Sequence, residues 1–183
     1  DFKLSDLRSE VALVLQDVFL FADTILNNIT LWDKSISFDV VINSAKKIGI
    51  HEFIMSLPGG YNYNVKERGV MLSQGQRQLI SFLRAYLKNP SILILDEATS
   101  SVDSNSEELI KNATIKITEN NTSIIIAHRL STILNSDKIL VMDSGKLVEF
   151  GTHKELIKKK NGYYRGLYEI QFKKDEIMSS LPQ

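Results

Sequence analysis

A short apolar run, Ile92–Leu95, ends abruptly in two adjacent carboxylates, Asp96 and Glu97. A run of this length between polar residues predicts a fully buried strand of a parallel sheet. In open α/β sheets, ligands bind just beyond the carboxyl ends of such strands. Because side chains alternate along a strand, the two carboxylates point in different directions, so one can hold a metal while the other acts on a water. We therefore predict that the chain is organised around handling a phosphate.

The apolar pattern elsewhere predicts an α/β fold in which helices are inserted into a parallel sheet. Val11–Leu15 indicates a first strand, and the next segments follow helical spacing. After residue 90 the pattern changes to strand–helix–strand. The predicted helices span 37–48, 51–57, 74–88, 104–118, 152–160 and 163–174, and the later strands span 92–95, 122–127, 137–142 and 146–150.

These elements predict a division of the chain into three parts. Residues 1–16 and 90–174 form the sheet core, residues 17–89 form a helical lobe inserted into it, and residues 175–183 form a frayed tail. No apolar stretch approaches the ~20 residues needed to cross a bilayer. We therefore expect any association with a membrane to involve a partner or a further part of the polypeptide.

Charge and cysteine content exclude several classes of site. Lys+Arg and Asp+Glu both total 22, so the formal net charge is zero. No nucleic-acid partner is expected, because broad electrostatic binding needs clustered positive charge. The chain has no cysteine, which excludes disulfide frameworks and thiolate metal sites.

Further candidates for phosphate chemistry each have a structural alternative. Ser73 and Gly75 lie at a predicted helix start, where unpaired N–H groups and the helix dipole favour an anion. An ordinary N-cap turn is the alternative there. Gln16 could be a buried strand-end amide or a sensor of phosphate or metal. His128 could be a core histidine or a neutral donor to a terminal phosphate.

The order and spacing of these residues resemble those of a known family. Over residues 1–174 the chain looks like the nucleotide-binding domain of an ATP-binding cassette (ABC) transporter of the exporter type. Residues 72–76 are similar to the signature LSGGQ, with Gln74 in place of the first Gly. The other matching motifs are Walker B with the catalytic glutamate at Ile92–Glu97, the Q-loop at Gln16, the D-loop at Ser100–Asp103 and the switch histidine at His128.

The resemblance implies a P-loop NTPase (RecA-like) core with an inserted helical signature subdomain, and an ATPase that uses ATP and Mg²⁺. Such domains resemble one another in working as head-to-tail dimers with ATP between the two copies. The chemistry of the carboxylates fits, because hard cations take carboxylate oxygens and phosphoryl transfer needs a positioned base. The implied roles are catalysis by Glu97, His128 and Gln16, binding of Mg²⁺ by Asp96 and Gln16, and contact with the nucleotide by Ser73, Gln74, Gly75, Gln76 and Asp103.

The exporter-like stretch over residues 57–69 contains one departure. Lys66 stands where the exporter pattern has a glycine. In exporters this stretch lies by the coupling helices of the membrane domain, so the resemblance makes Glu67 a candidate transmission residue.

No G-x-x-x-x-G-K-[ST] sequence occurs in the chain. The glycine loop and lysine that hold the nucleotide phosphates in the family are therefore missing. Only 15 residues precede Gln16, so we expect the N-terminal strands and Walker A to lie in polypeptide upstream. The stretch is expected to be a partial domain that hydrolyses no ATP alone.

Three functions are compared. The first is the ATPase domain of an exporter, on the cytoplasmic side of the cell membrane, with a second nucleotide-binding domain and a membrane domain fused upstream as partners. The second is a soluble ABC ATPase of the DNA-repair or chromosome type, which the absence of heptads and cysteines between Gln16 and Leu72 disfavours. The third is a truncated, non-catalytic module, against which the intact Glu97 and His128 argue. The cargo cannot be read from a domain of this kind.

Overall fold

The computed structural model describes residues 3–96, 104–119, 121–127 and 133–170. They belong to two compact units, Asp1–Ile126 and Ala127–Gln183. In this part of the chain, no helix has both the length and the apolar character that crossing a membrane requires. The first unit contains α1 (Leu4–Glu10), β1 (Val11–Val14), α2 (Ile25–Thr30), α3 (Phe38–Ile48), α4 (His51–Ser56), α5 (Gln74–Lys88), β2 (Ile92–Asp96), α6 (Ser104–Thr118) and β3 (Thr122–Ile126). The second contains β4 (Ile139–Asp143), β5 (Lys146–Gly151), α7 (His153–Leu156) and α8, over 163–170.

The first unit is built on a parallel sheet with the strand order β1–β2–β3. Ile94 of β2 pairs with Leu13 of β1 and with Ile124 of β3. The connection from β2 to β3 runs through α6, as parallel neighbours require a crossover. The carboxyl ends of all three strands therefore lie at the same edge, which confirms the predicted α/β fold with a parallel sheet.

One face of this sheet carries the core, and the other is largely open. Ala12, Val14 and Leu93 are buried together with apolar residues of α5 and α6, whereas Leu13 and Ile124 are 54% and 53% exposed. The prediction of fully buried strands is therefore wrong for the described residues. Side chains alternate along a strand, and within the described residues helices cover only one of the two apolar sets.

Local capping sets the ends of the helices between β1 and β2. Ser37 caps α3 by accepting the Val40 N–H at 3.4 Å, and Gly49 ends the helix with φ of 82°. The sequence did not predict α1 and α2, because α1 buries no residue and α2 spans only six. The prediction that residues 17–89 form a separate helical lobe stays a prediction. The structure confirms, to within about a residue, the helices predicted over 37–48, 51–57, 74–88 and 104–118.

In the second unit, β4 and β5 form an antiparallel hairpin. The positions of both strands are confirmed, but the prediction that they belong to a parallel sheet is wrong. Ser144 and Gly145 connect them, with φ of 49° and 75°. Positive φ at both central residues is the geometry of a type I′ turn, which matches the twist of the strands it joins. Parallel strands cannot be connected by two residues.

A buried carboxylate fastens α8 to the hairpin. Glu149 Oε2 accepts the Tyr164 N–H at 2.9 Å, and Glu149 Oε1 lies 3.7 Å from Lys159 Nζ. The helix predicted over 152–160 is limited to α7, because the chain turns afterwards and Asn161 adopts a positive φ of 60°. The helix predicted over 163–174 is confirmed over 163–170, and its last four residues lie outside the described part.

Lys66 adopts a backbone conformation that ordinarily requires glycine. Its φ is 60° and its ψ is −173°, a region that costs a residue with a Cβ ~1–3 kcal/mol. The Asn64 Oδ1 accepts the Lys66 N–H at 2.9 Å and helps to hold the turn. Lys66 therefore occupies a conformation that a glycine would adopt without this strain.

We predict that Lys66→Gly stabilises the protein by ~1 kcal/mol, because the strain relieved exceeds the ~0.5–1 kcal/mol that glycine costs through the unfolded chain. Urea unfolding of the purified protein measures this difference. Lys34→Gly is the matched control, since Lys34 is an exposed turn residue with an ordinary φ, and this variant should be destabilised. Equal destabilisation of both variants would show that Lys66 is not strained.

Candidate functional site

The sheet places two of the predicted site residues at one edge. Val14 pairs with Leu95, so Gln16, just past β1, and Asp96, the last residue of β2, follow the same edge of the sheet. Gln16 is exposed in a bend and Asp96 is half-buried. The alternative of a buried amide at Gln16 is therefore wrong. This is the edge at which parallel α/β sheets bind ligands.

Three of the predicted residues, Glu97, Asp103 and His128, lie outside the described part of the chain. Their roles stay predictions from the sequence. In the chain, Glu97 directly follows β2 and His128 comes two residues after the end of β3.

The start of α5 is closed by a capping box. Ser73 Oγ accepts the Gln76 N–H at 3.2 Å, and Gln76 Oε1 accepts the Ser73 N–H at 3.0 Å. Arg77 braces the same turn by donating from Nη1 to the Leu72 carbonyl at 2.8 Å. This reciprocal pairing, which S-x-x-Q sequences favour, fixes the first helical residue at Gln74.

Capping leaves donors free in the first turn of α5. The first intrahelical hydrogen bond runs from Arg77 N to Ser73 O, so it does not use the amides of Gln74 and Gly75. Neither amide donates to another residue in the described ranges. The Ser73 hydroxyl acts only as an acceptor in the box, so its hydrogen is also available. The capped turn and the predicted anion site are therefore compatible, because such N–H groups favour a negative charge.

A buried amide lies between α5 and the end of β2. Gln78 is 3% exposed, and its side chain has no hydrogen bond to the described residues. With Asp96 and Thr114 it lines a void of about 10 Å³, which is room for about one water. No group of three or more metal-ligating side chains occurs in the described ranges. The single carboxylate of Asp96 suits Mg²⁺, which keeps several waters and takes one or two carboxylates.

A larger groove lies at the other end of α5. Its volume is about 520 Å³, and its lining includes Lys47, Tyr86 and Lys116. At 1.5 Å per residue, Tyr86 is ~20 Å along the helix from Ser73. The groove is therefore separate from the predicted nucleotide surface.

Sequence analysis missed the residues that organise the segment after Gln16. Asn28 is fully buried; its Oδ1 accepts the Phe21 N–H at 2.8 Å and its Nδ2 donates to Phe21 O and Thr24 O, both at 3.0 Å. Arg84 of α5 donates to Asn28 Oδ1 and to Phe19 O, both at 2.9 Å, and also to Asn28 O. These partners are 56 and 65 residues apart in sequence, so no local pattern could reveal them.

The same segment presents exposed aromatic rings, which we call the aromatic patch: Phe19, Phe21 and Trp32. The Phe21 ring makes edge-on contacts with Phe19 at 5.1 Å and with Trp32 at 4.9 Å, and Phe19 and Trp32 are 57% and 47% exposed. Trp32 Nε1 donates to Asp23 Oδ2 at 2.9 Å. The hydrogen bond from the Thr24 N–H lowers the pKa of Asp23 most, and those from the Asn27 and Trp32 side chains lower it further. The carboxylate that accepts from Trp32 therefore stays charged.

The chain belongs to the ABC transporter family, because residues 2–100 match the family model described as ABC transporter. It is 48% identical over 171 residues to YgaD of Bacillus subtilis (strain 168), named a multidrug export ATP-binding/permease protein, covering 93% of this chain and 29% of that protein. A protein named in the same way from Staphylococcus aureus (strain N315) is 49% identical with the same coverage.

A solved structure is also similar to this chain. The chain matches a bacterial Atm1-family ABC exporter with ATP bound at a TM-score of 0.81 and 41% identity, covering 91% of this chain and 29% of that one. The chain thus spans 29% of the length of these curated relatives.

We predict that Ser73→Ala destabilises the protein by ~1 kcal/mol, because the Gln76 N–H loses its acceptor. Ser73→Asp should keep the parental stability, since a carboxylate also caps a helix and interacts favourably with its dipole. Urea unfolding followed by circular dichroism compares the two variants. An Asp variant as unstable as the Ala variant would contradict the role given to the cap.

Proposed function

We propose that this chain is part of the ATP-binding and ATP-hydrolysing domain of an ABC exporter, and that two such domains hold ATP between them head to tail. The observation that carries the proposal is the first turn of α5. There Ser73, Gln74 and Gly75 retain donors that suit the phosphates of a nucleotide bound to the opposite domain. Gln76 holds this turn through the capping box, and Asp103 is proposed to contact the same nucleotide.

In the chain, the proposed catalytic residues come one or two positions after strands of the parallel sheet. Asp96 and the amide oxygen of Gln16 are proposed to hold Mg²⁺, which would neutralise charge on the phosphates when bound. Glu97 polarises the attacking water as a base. His128 donates a hydrogen bond to the terminal phosphate, for which a neutral imidazole suffices.

The proposed partners are a second nucleotide-binding domain and a membrane domain of the same polypeptide, and the proposed location is the cytoplasmic side of the cell membrane. The names of the relatives, which join an ATP-binding part and a permease, support a fused membrane domain. The aromatic patch offers large apolar surface for such a partner, since exposed aromatic residues are typical of interfaces. Glu67, exposed in a short 3₁₀ turn, is a candidate transmission residue.

Exporters are favoured over the soluble DNA-repair or chromosome type. The similar proteins and the similar solved structure are both exporters by name. No observation on the described residues favours a DNA-associated or a non-catalytic module.

We predict that Glu97→Gln in the complete protein lowers the rate of ATP hydrolysis at least ~100-fold, because a general base contributes that much or more. ATP-induced pairing of the domains should persist, since the amide keeps the size of the side chain. Phosphate release and cross-linking between domains measure the two effects. Glu108→Gln, at an exposed position of α6, is the matched control. Normal turnover by the Glu97 variant would exclude it as the base.

A further inference from the structure

Arg84 is a half-buried cation that donates hydrogen bonds to amide oxygens of the described residues. It lies in the last part of α5, and burial lowers its pKa to about 10, so it stays charged at neutral pH. Its guanidinium reaches Asn28 Oδ1, Asn28 O and Phe19 O. No carboxylate of the described residues pairs with it. The planar fork of arginine suits several oxygens at fixed angles, which a lysine ammonium cannot reproduce.

Asn28 is the centre of this network. Its Oδ1 accepts from both Phe21 N and Arg84, and its Nδ2 donates to two carbonyls. The amide is therefore fully satisfied although it is buried, as such groups must be. The backbone carbonyl of Asn28 lies in the last turn of α2, where orphan carbonyls and the dipole favour a cation. Arg84 therefore caps the end of α2 through Asn28 O and also holds the segment after Gln16 through Phe19 O.

The network joins two surfaces of one chain. On one side it begins on α5, whose first turn carries the capped signature residues. On the other side it ends on residues 17–21, which follow Gln16 and carry Phe19 and Phe21 of the aromatic patch. This segment has no strand or helix of its own. It is held by burial of the Leu20 side chain in the core and by the hydrogen bonds that Asn28 and Arg84 supply to Phe19 and Phe21.

We propose that Arg84 is a positioning residue that fixes the segment after Gln16, and with it the aromatic patch, to the signature helix. The segment after Gln16 and α5 then move together. A nucleotide that contacts α5 and a nucleotide that contacts Gln16 therefore both act on the aromatic patch. The coupling role rests on the proposed function, whereas the fixing of the segment does not. Arg84 touches no nucleotide in this account; it acts through Phe19 and Asn28.

The test uses hydrogen exchange in the complete protein and two variants, Arg84→Lys and Arg84→Gln. Loss of the fork should raise exchange of the Phe21 amide at least ~10-fold in Arg84→Gln, because this segment would open locally. Arg84→Lys keeps the charge and a single donor group in place of the fork, so its exchange should lie between that of the parent and that of Arg84→Gln. Amides of β1 and of the middle of α5 should exchange as in the parent. Arg165→Lys, on an exposed i,i+4 pair with Glu169, is the matched control and should change nothing.

ATP hydrolysis by the same proteins is the second readout. The maximal rate of ATP hydrolysis should decrease from the parent to Arg84→Lys and further to Arg84→Gln. The KM for ATP should be nearly unchanged, because the variants keep the groups proposed to bind ATP and lose only the connection between α5 and the segment after Gln16. Unchanged exchange at Phe21, or exchange raised equally in β1 and α5, would overturn the proposal. A parent that hydrolyses no ATP would instead refute the proposed function, and the exchange data would still decide whether Arg84 fixes the segment.

Discussion

The packing of α5 on the sheet is the constraint on which the site depends. Leu79, Phe82 and Leu83 of α5 are buried in the same core as Ala12 and Leu93 of the strands. An apolar stripe of this kind fixes the rotation of a helix about its own axis. Once the rotation is fixed, the capping box determines where the helix begins and which donors it leaves free. The chemistry proposed for Ser73 and Gly75 therefore follows from packing that lies about one to three turns further along the helix.

The same helix has a second proposed role in its last part, at Arg84. Its first turn holds donors for an anion, while Arg84 holds the segment after Gln16. A single helix thus connects the turn that is proposed to bind a phosphate to the exposed aromatic patch. Transmission of this kind requires only that α5 stays intact, and its length of 15 residues and capped start favour that. Strain elsewhere, as at Lys66, is compatible with this because it lies in a turn outside the helix.

Sequence patterns predicted the elements that have a long or unmistakable period. α5 and β2 were found because a 15-residue amphipathic helix and an apolar strand leave clear signatures. The direction of β4 and β5 was missed, although the two-residue Ser144–Gly145 turn is a hairpin signal that the sequence contains. The Arg84 network could not be found at all, since its partners are brought together only by folding. The positions of Gln16, Ser73 and Asp96 at a strand or helix end could be predicted because they are local properties, whereas their roles stay predictions.

The most direct test of the account is the structure of the complete protein with ATP trapped by Glu97→Gln. The terminal phosphate is expected to lie within hydrogen-bond distance of Ser73 Oγ and of the amides of Gln74 and Gly75 from the opposite domain. Gln76 Oε1 is expected still to accept the Ser73 N–H. A nucleotide bound without any contact to the first turn of α5 would show that this turn does not bind the phosphates.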